Sequence, residues 1–154
     1  MDLADLAGIV RVAVVAAVTA AQPVPTNLSA LVARARIDGR VEAWCAGRFH
    51  PKPTNAFAVA MTSPAGGGRY VVIEADAAFK ELARFSGGAD LSCYTRAEAQ
   101  RLDRTIRQSA TIHGRITPRG NTTIACGFIE DTIAVCWQFD PSTGAFVTIG
   151  GWTT

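Results

Sequence analysis

IACGFIEDTIAVCWQFDPSTGAFVTIG, residues 124–150, contains three alternating apolar runs separated by two turn signals, and its reading decides the fold. Asp140-Pro-Ser-Thr-Gly144 places proline at a turn position and glycine where a left-handed residue is wanted, so the flanking runs fold back as an antiparallel hairpin. Read as a five-residue connection, it pairs Phe139 with Ala145, Trp137 with Val147 and Val135 with Ile149. A two-residue turn at Glu130-Asp131 pairs Phe128 with Ile133 and Cys126 with Val135. Both hairpins then extend one face of a three-stranded meander, made of Ile124, Cys126, Phe128, Ile133, Val135, Trp137, Phe139, Val147 and Ile149. Glu-Asp is a poor two-residue turn, a place that favours Asn-Gly or Asp-Gly. A three-residue loop instead sets Cys126 opposite Cys136, so one residue of register decides whether these cysteines share a face.

Working outward, Thr95 and Glu98 have the spacing of a capping box and open a helix with Ala99, Leu102, Ile106 and Ala110 as its buried stripe. Its other faces carry Arg96, Arg101, Asp103, Arg104 and Arg107. Leu91–Tyr94 reads as a brief extended piece. Asp76–Phe85 reads as a short helix with Phe79, Leu82, Ala83 and Phe85 inward, closed by Ser86-Gly87-Gly88. Ser63–Arg69, with three glycines, turns the strand Ala56–Thr62 back onto Tyr70–Ile73. As a phosphate loop it lacks a Gly-Lys-Ser/Thr ending and leads into a strand rather than a helix. His50–Asn55 has two prolines and is a loop. A first strand starts at Arg40, where Val41, Ala43, Cys45 and Phe49 begin a period of two. Between Pro23 and Gly39 lies a helix capped by Thr26 or Asn27, with Leu28, Leu31, Val32 and Ala35 on one side. The expected architecture is an α+β domain: a largely antiparallel sheet of about six strands, with helices packed on one face.

The first 22 residues admit two readings. Leu3, Leu6, Val10, Val14 and Val18 make a helical stripe capped by Asp2 and ended by Pro23 and Pro25. The apolar run 10–21, whose Val18-Thr19-Ala20 offers small residues to a signal peptidase, also resembles a cleavable leader, but Asp2 and Asp5 stand where a leader carries positive charge, which favours the helix. Val12–Ala21 is too short to span a membrane, which takes about 20 residues. Residues 23–154 form the remaining single domain, in keeping with 154 residues, 49% hydrophobic and 18% charged.

A formal charge of +2 gives no general pull toward polyanions. The charge is uneven, however: residues 93–120 are basic and 121–154 acidic. Arg101, Arg104, Arg107, Arg115 and Arg119 are candidates for binding an anion or a partner's carboxylates, set against a plain solvated face. No RNA-recognition, zinc-finger or helix-turn-helix signature supports nucleic acid.

The four cysteines, Cys45, Cys93, Cys126 and Cys136, have three complete pairings if the protein is exported and read otherwise as small buried hydrophobes. No spacing among them and His50 or His113 matches a zinc site, and no cofactor motif occurs. Cys93, just before a helix cap and near Arg96, is the best placed thiol nucleophile, with His113 as its base. No Gly-x-Ser-x-Gly elbow offers a serine route. The expected function is therefore a small non-catalytic protein-binding or assembly module, cytoplasmic in preference to periplasmic or secreted. Its partner is a protein or a second copy, met through a sheet edge or a face near Trp44 and Trp152. The alternatives are an exported, disulfide-stabilised binding or inhibitor domain and a thiol enzyme using Cys93.

Overall fold

Ala56, Ala58 and Ala60 alternate with Phe57, Val59 and Met61 along one strand, and all six are buried. A strand covered on both faces belongs to the middle of a layered structure, and its small and large sides set two different spacings. The structure, a computed structural model, describes residues 22–52 and 54–154. Helix α1 (Thr26–Ala35) precedes strands β1 (Arg40–Gly47), β2 (Ala56–Thr62), β3 (Gly68–Ile73) and β4 (Phe79–Phe85). After these come β5 (Leu91–Tyr94), helix α2 (Arg96–Gln108), β6 (His113–Ile116), β7 (Ile124–Glu130), β8 (Ile133–Asp140) and β9 (Ala145–Thr153).

The strands form two antiparallel sheets, in the order β1-β2-β3-β4 and β5-β7-β8-β9-β6. Each sheet is built from one continuous half of the chain. Between them lies a core in which Ala56, Ala58 and Ala60 leave room for Phe49, Tyr70, Phe85 and Trp137. On the outer side of the first sheet, Leu28 and Leu31 of α1 pack on Phe57, Val59, Met61, Val71 and Ile73. On the outer side of the second, Ala99, Leu102 and Ile106 of α2 pack with Ile124, Cys126, Cys136, Ile149 and Trp152. The layering is thus helix, sheet, sheet, helix.

Tyr70 joins the two sheets. Its side chain is fully buried, and its hydroxyl donates to the Phe128 carbonyl at 2.7 Å and accepts from the Asp90 amide at 3.3 Å. Burial pushes the phenol up to about 12. The ring lies against Gly127, where a Cβ would come within 2.7 Å of Tyr70 Cζ. Glycine is needed there for the close approach of the two sheets.

The α+β class, the antiparallel pairing and the C-terminal meander are as expected, and the details differ. Nine strands in two sheets replace about six in one, and the helices cover opposite outer faces instead of a common one. Asp76–Phe85 is not a helix. Asp76 Oδ1 accepts from the Ala78 amide, Ala77 takes a left-handed φ of 67°, and Phe79–Phe85 returns along β3 as a strand. Tyr70 faces Ala83 while Val71 faces Glu81, so Leu82 is the extra residue of a bulge. That interruption broke the period of two and imitated a helical stripe.

Both meander turns sit one residue from the expected register. Asp140 pairs with Ala145 and Phe139 with Phe146, leaving Pro141–Gly144 as a four-residue loop with Gly144 left-handed. Glu130 pairs with Ile133, and a bulge at Ile129 brings Cys126 opposite Cys136. Trp137 therefore points between the sheets and not toward α2. The capping box of Thr95 and Glu98 is present, with the stripe ending at Ile106 because Ala110 is exposed. Helix α1 has neither Thr26 nor Asn27 as its cap. Pro25 precedes it and left-handed Arg36, not Gly39, closes it. Met1–Ala21, with both readings proposed for it, lies outside the described residues.

Candidate functional site

All four cysteines are paired. Cys126–Cys136 bridges β7 and β8, and Cys45–Cys93 ties the edge strand of one sheet to the edge strand of the other. Cys93 is therefore a disulfide sulfur. His113 lies on β6, at the opposite edge of the second sheet from β5, so the structure does not bring the two together. Three strands separate them, a span of about 19 Å at the usual strand spacing.

The five arginines do not form one patch. Arg107 and Arg115 both turn to Asp103, at 3.0 and 3.7 Å. Asp103 is buried and accepts from the Ile116 amide at 2.7 Å, so this group clips β6 onto α2. Arg101 and Arg104 lie on the exposed side of α2. Arg119 sits in a distant loop and pairs with Asp140 at 3.4 Å. The expected face near Trp44 and Trp152 is largely covered, with Trp44 partly buried. Trp152 is buried in the α2 core, and Trp44 packs beneath α1 with its ring edge against Phe57.

The chemistry that does converge is at the end of the molecule where four loops meet. These loops join β1 to β2, β3 to β4, β6 to β7 and β8 to β9. Two clefts open here, of about 430 Å³ and 380 Å³, and His50 lines both. His50 Nε2 lies 3.0 Å from Glu74 Oε1, and its ring is held against Phe139 and Phe146 at centroid distances of 4.7 and 5.2 Å. Glu74 Oε1 is shielded from solvent, and among the described residues no group meets hydrogen-bond geometry with it. Burial raises the Glu74 carboxyl above its ordinary range, with His50 acting in the opposite direction.

The larger cleft has a braced wall. Gln138 is fully buried, and every hydrogen bond of its amide goes to one loop. It accepts from the Arg119 amide at 2.7 Å and donates to the carbonyls of Gly120 and Thr122 at 3.1 and 3.0 Å. Arg96 donates to Gly120 from the other side. The Arg48 amide and carbonyl are both bonded to Thr123, and a Cβ on Gly47 would collide with the Thr123 side chain. The Asp140 carboxylate is held below its usual range by bonds from Ser142, which fixes the loop after β8.

Sequence reading placed His50 in a loop, matched it to no zinc spacing and gave it no other role. Glu74, Phe139 and Gly120 are far from it in the chain, and only Gln138, a polar residue inside an apolar strand, marks the site in the sequence. His50 and Glu74 can hold a charge or pass a proton. Among the described residues no hydroxyl or thiol is hydrogen-bonded to His50, and no group of three or more His, Cys, Asp or Glu is placed to hold a metal. No described helix is long and apolar enough to cross a membrane. Comparison with protein-family models, with curated proteins and with solved structures finds no match.

Proposed function

We propose that this chain is a non-catalytic binding domain that works in an oxidising compartment, with the loop end around His50 as its binding surface. The observation that carries the reading is the complete pairing of the cysteines, one bond of which closes the two sheets edge to edge. Disulfides persist outside the reducing cytosol, and a bond at this position stabilises the arrangement of the layers rather than a single turn. This reading departs from the cytoplasmic placement that the acidic N-terminal flank favoured. The loop end supports a binding role because the backbone of its β6–β7 loop is braced by a dedicated buried glutamine, as a preformed site requires.

The test is the intact mass of the protein from its native source, alkylated before and after reduction. Four cysteines that resist alkylation until reduced support the reading. Four that alkylate in the native protein refute it.

A further inference from the structure

We propose that the larger cleft beside His50 is a site for a small organic carboxylate with an apolar body. The inference rests on the binding-domain reading and deepens it by naming a ligand class. The cleft, at about 430 Å³, has the size of a small-molecule site. Phe139, Pro51 and Pro141 give it apolar walls, while Arg48 supplies a charged group, His50 an imidazole and Asn121 an amide. No carboxylate belongs to the lining. The nearest one along the chain, Asp140, is occupied by Ser142 and Arg119.

Arg48 is exposed, and among the described residues its guanidinium has no carboxylate within ion-pair distance. Its backbone, by contrast, is fixed at both amide and carbonyl. A cation on a rigid base, beside an apolar wall and facing no acid, fits the head of an organic acid whose body lies on Phe139. The His50 ring lines the same cleft. Glu74 meets His50 at Nε2 and does not line the larger cleft.

The experiment is an NMR titration of the full-length, ¹⁵N-labelled, disulfide-intact protein with 4-phenylbutyrate, 4-phenyl-1-butanol and inorganic phosphate. The carboxylate should shift the amides of Arg48, His50 and Gly120–Thr122 and bind at least about tenfold more tightly than the alcohol, the usual worth of one charge-assisted contact. Arg48→Gln, which keeps both backbone bonds to Thr123, should lose about the same tenfold, while Arg104→Gln on α2 should bind as the parent does. Equal binding of the alcohol, equal binding of phosphate, shifts centred on α2, or no shift by about 10 mM would each overturn the proposal. The mass test above is read separately, on protein from the native source. Closed disulfides with no titration reject the carboxylate alone, whereas free thiols in the native protein reject the binding-domain reading whatever the titration shows.

Discussion

Tyr70→Phe removes one oxygen from a buried position and leaves the ring in place, so it isolates the polar tie between the sheets. The lost hydroxyl leaves the Phe128 carbonyl and the Asp90 amide without their partner. A lost hydrogen bond together with newly orphaned buried groups costs about 2 kcal/mol. The second half of the prediction comes from pH. Because the folded phenol titrates at about 12 against an ordinary 10.0, the fold binds that proton more tightly than the unfolded chain does. A raised value of this kind contributes fully below the unfolded pKa and is lost as pH rises toward the folded one. By pH 11 about 1.4 kcal/mol of the tyrosine's advantage has gone, so the deficit of the variant shrinks from about 2 to about 0.6 kcal/mol. Urea unfolding of both proteins at pH 8 and pH 11, fitted with a common slope, measures the two differences. A deficit that stays constant between the two pH values, or one below about 0.5 kcal/mol at pH 8, refutes the reasoning.

Three further outcomes follow from the same packing. Replacing Cys45 and Cys93 together by alanine opens a crosslink between residues 48 apart and should cost about 4 kcal/mol in non-reducing urea unfolding, by loop entropy. Gln138→Met fills the same space but orphans the Arg119 amide and the Gly120 and Thr122 carbonyls; a loss of about 3 kcal/mol with faster hydrogen exchange at Arg119 is expected. Glu74→Gln removes a carboxyl that burial raises, whose ionisation weighs against the fold as pH climbs past the ordinary 4.5. Thermal melts should show the variant more stable than the parent at pH 7 and equal to it at pH 4.

Local signals carried much of the fold. The capping box at Thr95, the glycine turn after Thr62 and the alternation from Ala56 each act over a few residues and were legible as they stand. The meander register was not. Runs such as Ile133–Phe139 are apolar at both odd and even positions because α2 covers one side of the sheet and the first sheet covers the other. A slip of one residue then changes no visible pattern, and the bulge at Ile129 supplied that slip. Leu82 misled for a related reason, since an extra residue in a strand shifts the phase of everything after it. The Cys45–Cys93 pairing and the His50 site depend on segments brought together only by the stacking of two sheets, and no short window of sequence contains that information, whereas Cys126–Cys136 hung on the register of one hairpin.

Because one half of the chain makes the first sheet and the other half makes the second, the exposed segment Ser86–Gly88 is the single peptide crossing between them. A protease that cuts there breaks no strand. The two fragments stay one molecule through Cys45–Cys93 and migrate as two only after reduction. The molecule is in this sense a book with two bindings, a peptide one that can be severed and a sulfur one that keeps the covers aligned.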